Sequence, residues 1–154
     1  MNKRFLTIMT DGSSKGNSLG SPASIGVIIK NEYGDVIDRH SEQIPNTNAT
    51  HAEYTAMLTA LKRAKELHGA THVIALTDSL DLAKHMNSVP NVFMRHPPTS
   101  ILSLANQIKK EAQDLDYFHV SHVFREFNTE ADTAANAAYK LAKEHELYQN
   151  AIVS

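Results

Sequence analysis

Cysteine and tryptophan are both absent from this chain of 154 residues. Without cysteine there is neither a disulfide nor a thiolate metal ligand, which suits a reducing compartment, and we expect a cytoplasmic protein. No stretch approaches the roughly 18–20 apolar residues of a membrane helix, so we expect no membrane contact. The N-terminal stretch reaches an acid, Asp11, after few residues and is not expected to be a signal peptide.

The chain also lacks a strong charge of either sign. Its formal net charge is −2, with 42% apolar and 21% charged residues, a composition typical of one globular domain. Any contact with nucleic acid must therefore rest on a local patch, because the overall field supplies little attraction. We assign residues 1–145 to a single domain and 146–154 to a C-terminal tail.

The first third of the chain predicts an antiparallel meander. Apolar residues alternate over 5–9, β-branched residues dominate 23–30, and a return strand runs over 36–44. The stretch 31–36 is typical of a hairpin turn, with Gly34 at positive φ.

The remainder alternates helices and strands, which predicts an α/β protein with a mixed sheet. Apolar spacing of 3.6 predicts a helix over 50–68, and the apolar run 72–78 predicts a buried central strand. Further elements follow in order: a short helix over 79–86, a Pro-punctuated loop over 87–98, an amphipathic helix over 99–115, a strand over 117–124 and an alanine-rich helix from 128 to about 145.

The stretch "TDGSSKGN" (10–17) follows the first apolar run and leaves three interpretations open. Asp-Gly is good turn chemistry. A phosphate loop is a second interpretation, although the G-x-x-x-x-G-K-[ST] spacing is missing. The third is that Asp11 ends its strand as one corner of an acidic metal site.

Two acids, Asp11 and Asp78, each follow an apolar strand. If these strands are parallel neighbours, their ends lie about 4.8 Å apart, which suits two divalent ions roughly 3.5–4 Å apart. Glu53 and Asp132 fall in the first turns of two predicted helices, on or beside their core-facing sides. Carboxylates also suit magnesium, which prefers hard oxygen ligands.

Helix capping explains three of these acids as well. Thr50 and Glu53 fit a capping box, Asp78 or Ser79 could cap the following helix, and 129–132 resembles a second box. Taken one at a time, capping accounts for each acid at least as well as a metal site does.

The patterns around the acids favour the metal site. "TDGSSKGN", "HAEYTAMLTAL", "ALTDSLDLAKHM" and "HVFREFNTEADTAA" occur in the order and spacing of the ribonuclease H family. The chain resembles type 1 members, especially the short archaeal, plant and bacterial forms without a basic handle. The resemblance implies the ribonuclease H-like fold, a five-stranded mixed sheet with an antiparallel meander of three strands plus two parallel strands, flanked by helices. It makes four acids the metal ligands and catalytic residues: Asp11, Glu53, Asp78 and Asp132.

The same resemblance implies an activity. Family members are metal-dependent endonucleases that hydrolyse the RNA strand of RNA–DNA hybrids with two Mg²⁺ ions, for which Mn²⁺ substitutes, leaving 5′-phosphate and 3′-hydroxyl ends. Specificity would rest on duplex shape and the 2′-hydroxyl. The implied substrate-binding residues are Gly12, Ser13, Lys15, Asn17, Asn48 and Thr50, with Lys84 and Arg95 as further candidate phosphate contacts.

Some family features are missing. Ala49 and Thr50 stand where two asparagines are expected, the basic handle is absent, and no histidine occupies the loop before the last helix. Arg125 is the nearest group that could assist there, with His122 as the alternative. We therefore expect weak hybrid binding, and two rival functions stay open: a non-catalytic hybrid- or RNA-binding module, and a related nuclease acting on double-stranded RNA or DNA. Also open are a partner protein that supplies affinity and the oligomeric state.

Overall fold

A five-stranded mixed sheet forms the centre of the molecule. The computed structural model describes residues 2–16, 18–87, 97–139 and 151. The sheet has the order β3-β2-β1-β4-β5, with β1 antiparallel to β2, β2 antiparallel to β3, and β1, β4 and β5 parallel. The predicted mixed sheet is therefore confirmed. Its strands are β1 (Phe5–Ser14), β2 (Ala23–Lys30), β3 (Val36–Ile44), β4 (His72–Thr77) and β5 (Tyr117–His122).

Helices cover both faces of this sheet. None of those in the described residues is long and apolar enough to cross a membrane. The order of the elements is the predicted one, and a short 3₁₀ turn is added before the last helix. The helices are α1 (Ala49–Glu66), α2 (Leu80–Asn87), α3 (Thr99–Ala112), the 3₁₀ turn Arg125–Phe127, and α4 over 129–139.

The larger core lies between the sheet and helices α1, α2 and α3. Ile8, Tyr54, Leu61, Val73 and Ile108 are among its buried residues. A smaller cluster lies between α4 and the other face of the sheet. There Ala131 and Ala134 pack on Met9 and Ile28.

Several predicted elements differ from the structure, among them the strand predicted over 117–124, which ends at His122. The run 72–78 was expected to be buried throughout, but Ile74 is 43% exposed, because its face of β4 is covered by α4 only near Leu76. The helix predicted over 99–115 ends at Ala112. Parts of the predicted loop 87–98 and closing helix, and all of the tail 146–154 except residue 151, lie outside the described residues.

The first strand is longer than predicted. It was expected to end at Asp11, but β1 continues to Ser14, with Asp11 opposite Gly26 and Ser14 opposite Ala23. Only the pairing with β4 stops there, because the last parallel pair is Thr10 with Thr77. Asp11 therefore lies inside a strand and at the end of a parallel ladder at once.

Candidate active site

Asp11 and Asp78 are brought together by the parallel register of β1 and β4. Thr10 pairs with Thr77, so the two acids are the next residues on neighbouring strands. Asp11 is buried, with 5% of its surface exposed. The condition set in the sequence analysis, that these two strands are parallel neighbours, is therefore met.

Glu53 reaches the same place because α1 packs directly on β1. Gly12 permits this approach, since a Cβ at that position would collide with the backbone of Ala52 and Glu53. Gly12 was predicted to be a substrate-binding turn residue, and the structure places it in a strand beneath the helix that carries Glu53.

The predicted capping box of α1 is wrong. The N-cap is Asn48, whose side-chain oxygen accepts a hydrogen bond of 2.9 Å from the backbone N–H of His51. Thr50 is already helical, and Glu53 falls in the second turn, where no free backbone N–H remains to be capped. Glu53 therefore has no capping role.

Asp78 is also free of a capping role. The hydroxyl oxygen of Ser79 accepts a hydrogen bond of 3.2 Å from the backbone N–H of Leu82 in the first turn of α2. Of the two candidates considered from the sequence, Ser79 is the cap, and the carboxylate of Asp78 is left for the cluster.

The fourth acid, Asp132, is positioned by the way α4 is fastened to the sheet. The side-chain amide of Asn128 donates a hydrogen bond of 2.9 Å to the carbonyl oxygen of Thr10, one residue before Asp11. Farther along, α4 lies so close to β2 that a Cβ at Gly26 would collide with the backbone of Ala131 and Ala135. Thr129 lies inside α4, so the second predicted capping box is wrong too.

Two of these positioning residues were missed from the sequence. Gly26 carried a usable signal, because an isolated glycine inside a strand often marks a close backbone approach. Asn128 lies inside one of the motifs quoted above, but nothing in the sequence indicated its partner, a backbone carbonyl 118 positions away.

Three of the acids form a compact group of ligand atoms. Asp11, Glu53 and Asp78 each offer a carboxylate oxygen, and the three oxygens lie within 4.8 Å of one another. Asp132 lines the same cavity as these three acids, and its Oδ1 lies 3.6 Å from a guanidinium nitrogen of Arg125. The structure thus brings the four predicted acids and Arg125 to one place.

Crowding changes the acidity of this group. Burial and the charge of Asp78, with a hydrogen bond to Asp132, raise the pKa of Asp11 to about 7, although a hydrogen bond with Glu53 opposes the shift. Burial and the charges of Asp11 and Asp78 raise the pKa of Glu53 well above its ordinary value. A nearby cation would favour the charged carboxylates and so oppose both shifts.

The residues present fit a divalent metal. One oxygen of Glu53, Oε2, is buried with no hydrogen-bond partner, and a buried acceptor of this kind is costly unless something binds it. All the donors are carboxylate oxygens, the ligands that Mg²⁺ and Mn²⁺ prefer. The cluster therefore offers ligand atoms for a metal.

The acids line an open cavity of about 540 Å³. Of the other residues predicted to bind or assist catalysis, Gly12, Ser13 and Arg125 line it. Lys15, Asn48, Thr50 and Lys84 do not. The ammonium of Lys15 lies 4.5 Å above the ring of Tyr139, and Asn17 and Arg95 lie outside the described residues. His122, the alternative to Arg125, also lines the cavity, as does Phe124, which the sequence did not single out.

The strand order, the meander and the acids at the ends of β1 and β4 together define the ribonuclease H-like fold. A family described as reverse transcriptase-like matches residues 9–138. The chain belongs to that family, and within it to the ribonuclease H proteins of type 1.

Solved structures with this fold cover nearly the whole chain. The N-terminal ribonuclease H domain of a Mycobacterium tuberculosis protein, solved as a fusion with maltose-binding protein, is 26% identical with a TM-score of 0.81, covering 94% of this chain and 99% of that one. LC11 ribonuclease H1, isolated from compost by a metagenomic approach, was solved with an RNA/DNA hybrid. It is 26% identical with a TM-score of 0.79, over 89% of this chain and 98% of that one.

A third structure supports the fold alone. Ribonuclease H1 from the halophilic archaeon Halobacterium salinarum is 23% identical with a TM-score of 0.76, covering 90% of this chain and 98% of that one. No curated protein matches the chain closely enough to count as a relative.

Proposed function

We propose that this protein is a metal-dependent endoribonuclease that hydrolyses the RNA strand of RNA–DNA hybrids. The observation that carries the proposal is the group of three carboxylate oxygens within 4.8 Å of one another, at the carboxyl end of a parallel ladder, where ligand sites in such sheets are found. None of the three acids caps a helix, so the structure offers no other role for their crowding.

The proposed cofactor is Mg²⁺, as two ions, with Mn²⁺ as a substitute. When bound, such ions activate the attacking water and stabilise the leaving 3′-oxygen, which leaves 5′-phosphate and 3′-hydroxyl ends. Asp11 would hold the ions, because its carboxylate oxygen lies within 4.8 Å of those of Glu53 and Asp78. Glu53, Asp78 and Asp132, which line the same cavity, would supply the other carboxylate oxygens.

Arg125 is proposed to hold the substrate phosphate. Its side chain is 79% exposed and lies 3.6 Å from Asp132, so it can reach into the cavity without leaving its partner. A guanidinium presents a planar fork of donors that fits phosphate oxygens. It would neutralise charge on the scissile phosphate beside the acids, the place left open by the missing loop histidine.

A hybrid is the proposed substrate because a relative of 26% identity was solved with one. Recognition would rest on duplex shape and the 2′-hydroxyl. Among the described residues that line the cavity, Arg125 is the one permanent cation, so we propose that affinity is modest and that a partner protein supplements it. The proposed catalytic domain is 1–145, and the proposed location is the cytoplasm.

Cleavage of labelled duplexes tests this function. RNA–DNA, RNA–RNA and DNA–DNA duplexes of one sequence are incubated with Mg²⁺, Mn²⁺ or EDTA. We expect cleavage of the RNA strand of the hybrid with either metal and none in EDTA. Cleavage of RNA–RNA or DNA–DNA instead would point to another nuclease of this fold. Binding without cleavage of any duplex would point to a non-catalytic module.

A further inference from the structure

We propose that Phe124 is a substrate-contact residue, whose ring packs against the sugar face of a nucleotide beside the scissile phosphate. The inference rests on the proposed function, because it needs a nucleic-acid strand in the acidic cavity. Phe124 stands at the rim of that cavity, two positions after the end of β5, and none of the expected substrate-binding residues accounts for it.

The exposure of Phe124 is the first observation. Its surface is 65% exposed, although it lines a cavity whose other walls are mostly acids and polar groups. A large apolar ring held in water at the mouth of a polar site is unfavourable unless a ligand covers it.

The backbone on both sides of Phe124 is fixed. The N–H of Val123 donates a hydrogen bond of 2.8 Å to the carbonyl oxygen of Thr77, the residue before Asp78. The carbonyl oxygen of Phe124 accepts one of 2.9 Å from the N–H of Phe127, which closes the 3₁₀ turn. The ring also meets the edge of His122, with centroids 5.8 Å apart and planes at 81°. Phe124 is therefore held in a fixed relation to the acidic cluster.

The chemistry around Phe124 favours nucleic acid as its partner. The next residue, Arg125, reaches the same cavity, so this turn presents a ring and a guanidinium side by side. Proteins that follow a nucleic-acid strand combine cationic groups for the phosphates with aromatic rings for the apolar parts of nucleotides. Because the net charge of the chain is −2, the ring is a source of affinity that does not depend on charge.

Phe127 provides a matched control. It is 68% exposed and belongs to the same turn, but it does not line the cavity. The two phenylalanines thus have the same chemistry and exposure, and they differ in whether they face the acids.

Steady-state cleavage of the hybrid gives the first test. Phe124→Ala should raise KM about 5- to 30-fold, as expected from uncovering part of one aromatic ring, with kcat within about twofold of wild type. Phe124→Tyr, which keeps the ring, should restore KM, and Phe127→Ala should leave it within about twofold. Equal KM values in the two alanine variants beside an active wild type would overturn this inference. A wild type that cleaves no duplex would overturn the proposed function, and this inference with it.

Fluorescence gives a second test that does not need activity. The chain contains no tryptophan, so Phe124→Trp and Phe127→Trp each introduce a single reporter. In an Asp78→Asn background, where the hybrid stays intact, the emission of the tryptophan at 124 should fall and saturate as hybrid is added. The tryptophan at 127 should change little. Unchanged emission at 124 while hybrid binding is seen by anisotropy would contradict the contact.

Discussion

Two partly buried groups of charged residues in this protein place their carboxylates in opposite environments. On β3, Asp38 accepts hydrogen bonds of 2.9 and 3.0 Å from the guanidinium of Arg63 and lies 3.0 Å from a ring nitrogen of His68. Although burial opposes them, these partners hold the pKa of Asp38 below its ordinary value. At the ends of β1 and β4, Asp11 is surrounded by other acids, and its pKa is raised to about 7.

The difference shows what each group is for. Asp38 already has its partners, because Arg63 belongs to α1, His68 follows that helix by two residues, and their contacts with Asp38 fasten β3 to this part of the chain. The acidic cluster is unfinished, because among its residues only Arg125 supplies a positive charge, and that side chain lies mostly in solvent. Crowded carboxylates without cations destabilise a fold, so their presence points to a ligand that neutralises them.

The largest expected effect is on cleavage of the hybrid, and it distinguishes the acidic cluster from the ion pairs of Asp38. Asp78→Asn should lower cleavage of the hybrid by at least about 100-fold. Metal ions contribute several kcal/mol to the barrier, and each 1.4 kcal/mol is a factor of ten. Asp38→Asn should leave kcat within about threefold, since Asp38 is remote from the cavity lining. Initial rates with saturating Mg²⁺ measure both, and near wild-type cleavage by Asp78→Asn would remove the metal assignment.

A second prediction concerns how the acidic cluster is held, since Asp132 is positioned by the close backbone packing of α4 on β2. Gly26→Ala should destabilise the protein by about 3 kcal/mol, because the new Cβ meets backbone rather than a movable side chain. It should also lower activity by displacing α4 and Asp132. Gly20→Ala is the control, since Gly20 is exposed and only Ser18 lies near it. Urea unfolding checks the pair, and equal stability of the two variants would contradict the close packing.

Replacing Asp38, the carboxylate paired with Arg63, should change the free energy of unfolding more than it changes the cleavage rate. Asp38→Asn should cost about 1.5 kcal/mol, because charge-assisted hydrogen bonds to Arg63 and His68 are weakened but not all lost. Urea unfolding in EDTA measures this loss. A variant as stable as wild type would mean that these ion pairs do not fasten β3 to α1.

The last expected effect is a difference in pH dependence. In EDTA the folded protein binds protons at Asp11 that the unfolded chain releases, since the pKa is about 7 when folded and 3.8 otherwise. That contribution is complete below about pH 4 and is lost as the pH rises towards 7, so stability should fall over this range. Asp11→Asn should flatten the fall. Asp38 acts in the opposite sense, because its stabilisation is present above pH 3.8 and is lost only as the pH falls below that value.

The pH effect is measured by urea unfolding between pH 4.5 and 8. Asp38→Asn is the control, since it should keep the fall seen in wild type over this range. The same fall in Asp11→Asn would show that the raised pKa of Asp11 is not its source.

Much of the fold and of the acidic site could be predicted from the sequence, because the signals for them are local. Alternation and 3.6-residue spacing predicted the order of strands and helices, and four motifs around the acids predicted the family. The parallel register of β1 and β4 could be expected from the acids that follow two apolar strands. Local patterns of this kind can be recognised in the sequence because the spacing of apolar residues matches the period of the helix or strand that they form.

What the sequence did not predict depends on contacts between distant segments. Thr50 has a good capping pattern, but Asn48 takes the cap once the helix start is fixed by its packing on Gly12. The ends of helices are set by such competition among neighbouring candidates. The anchoring of α4 by Asn128 depends on a backbone carbonyl of β1, and the exposure of Phe124 depends on the path of the turn after β5. None of these three features produces a periodic pattern in the sequence.

Unfolding of wild type and Asp78→Ala, with EDTA and with about 10 mM Mg²⁺, tests the central claim most directly. Like charges 4 Å apart repel by about 4 kcal/mol at an effective dielectric near 20, before protonation and solvent relieve them, and Asp78 caps no helix. In EDTA at low salt the variant should therefore be more stable than wild type, and Mg²⁺ should shrink that advantage by stabilising wild type alone. A variant less stable in EDTA, with a difference that Mg²⁺ does not change, would contradict a metal-binding acidic cluster.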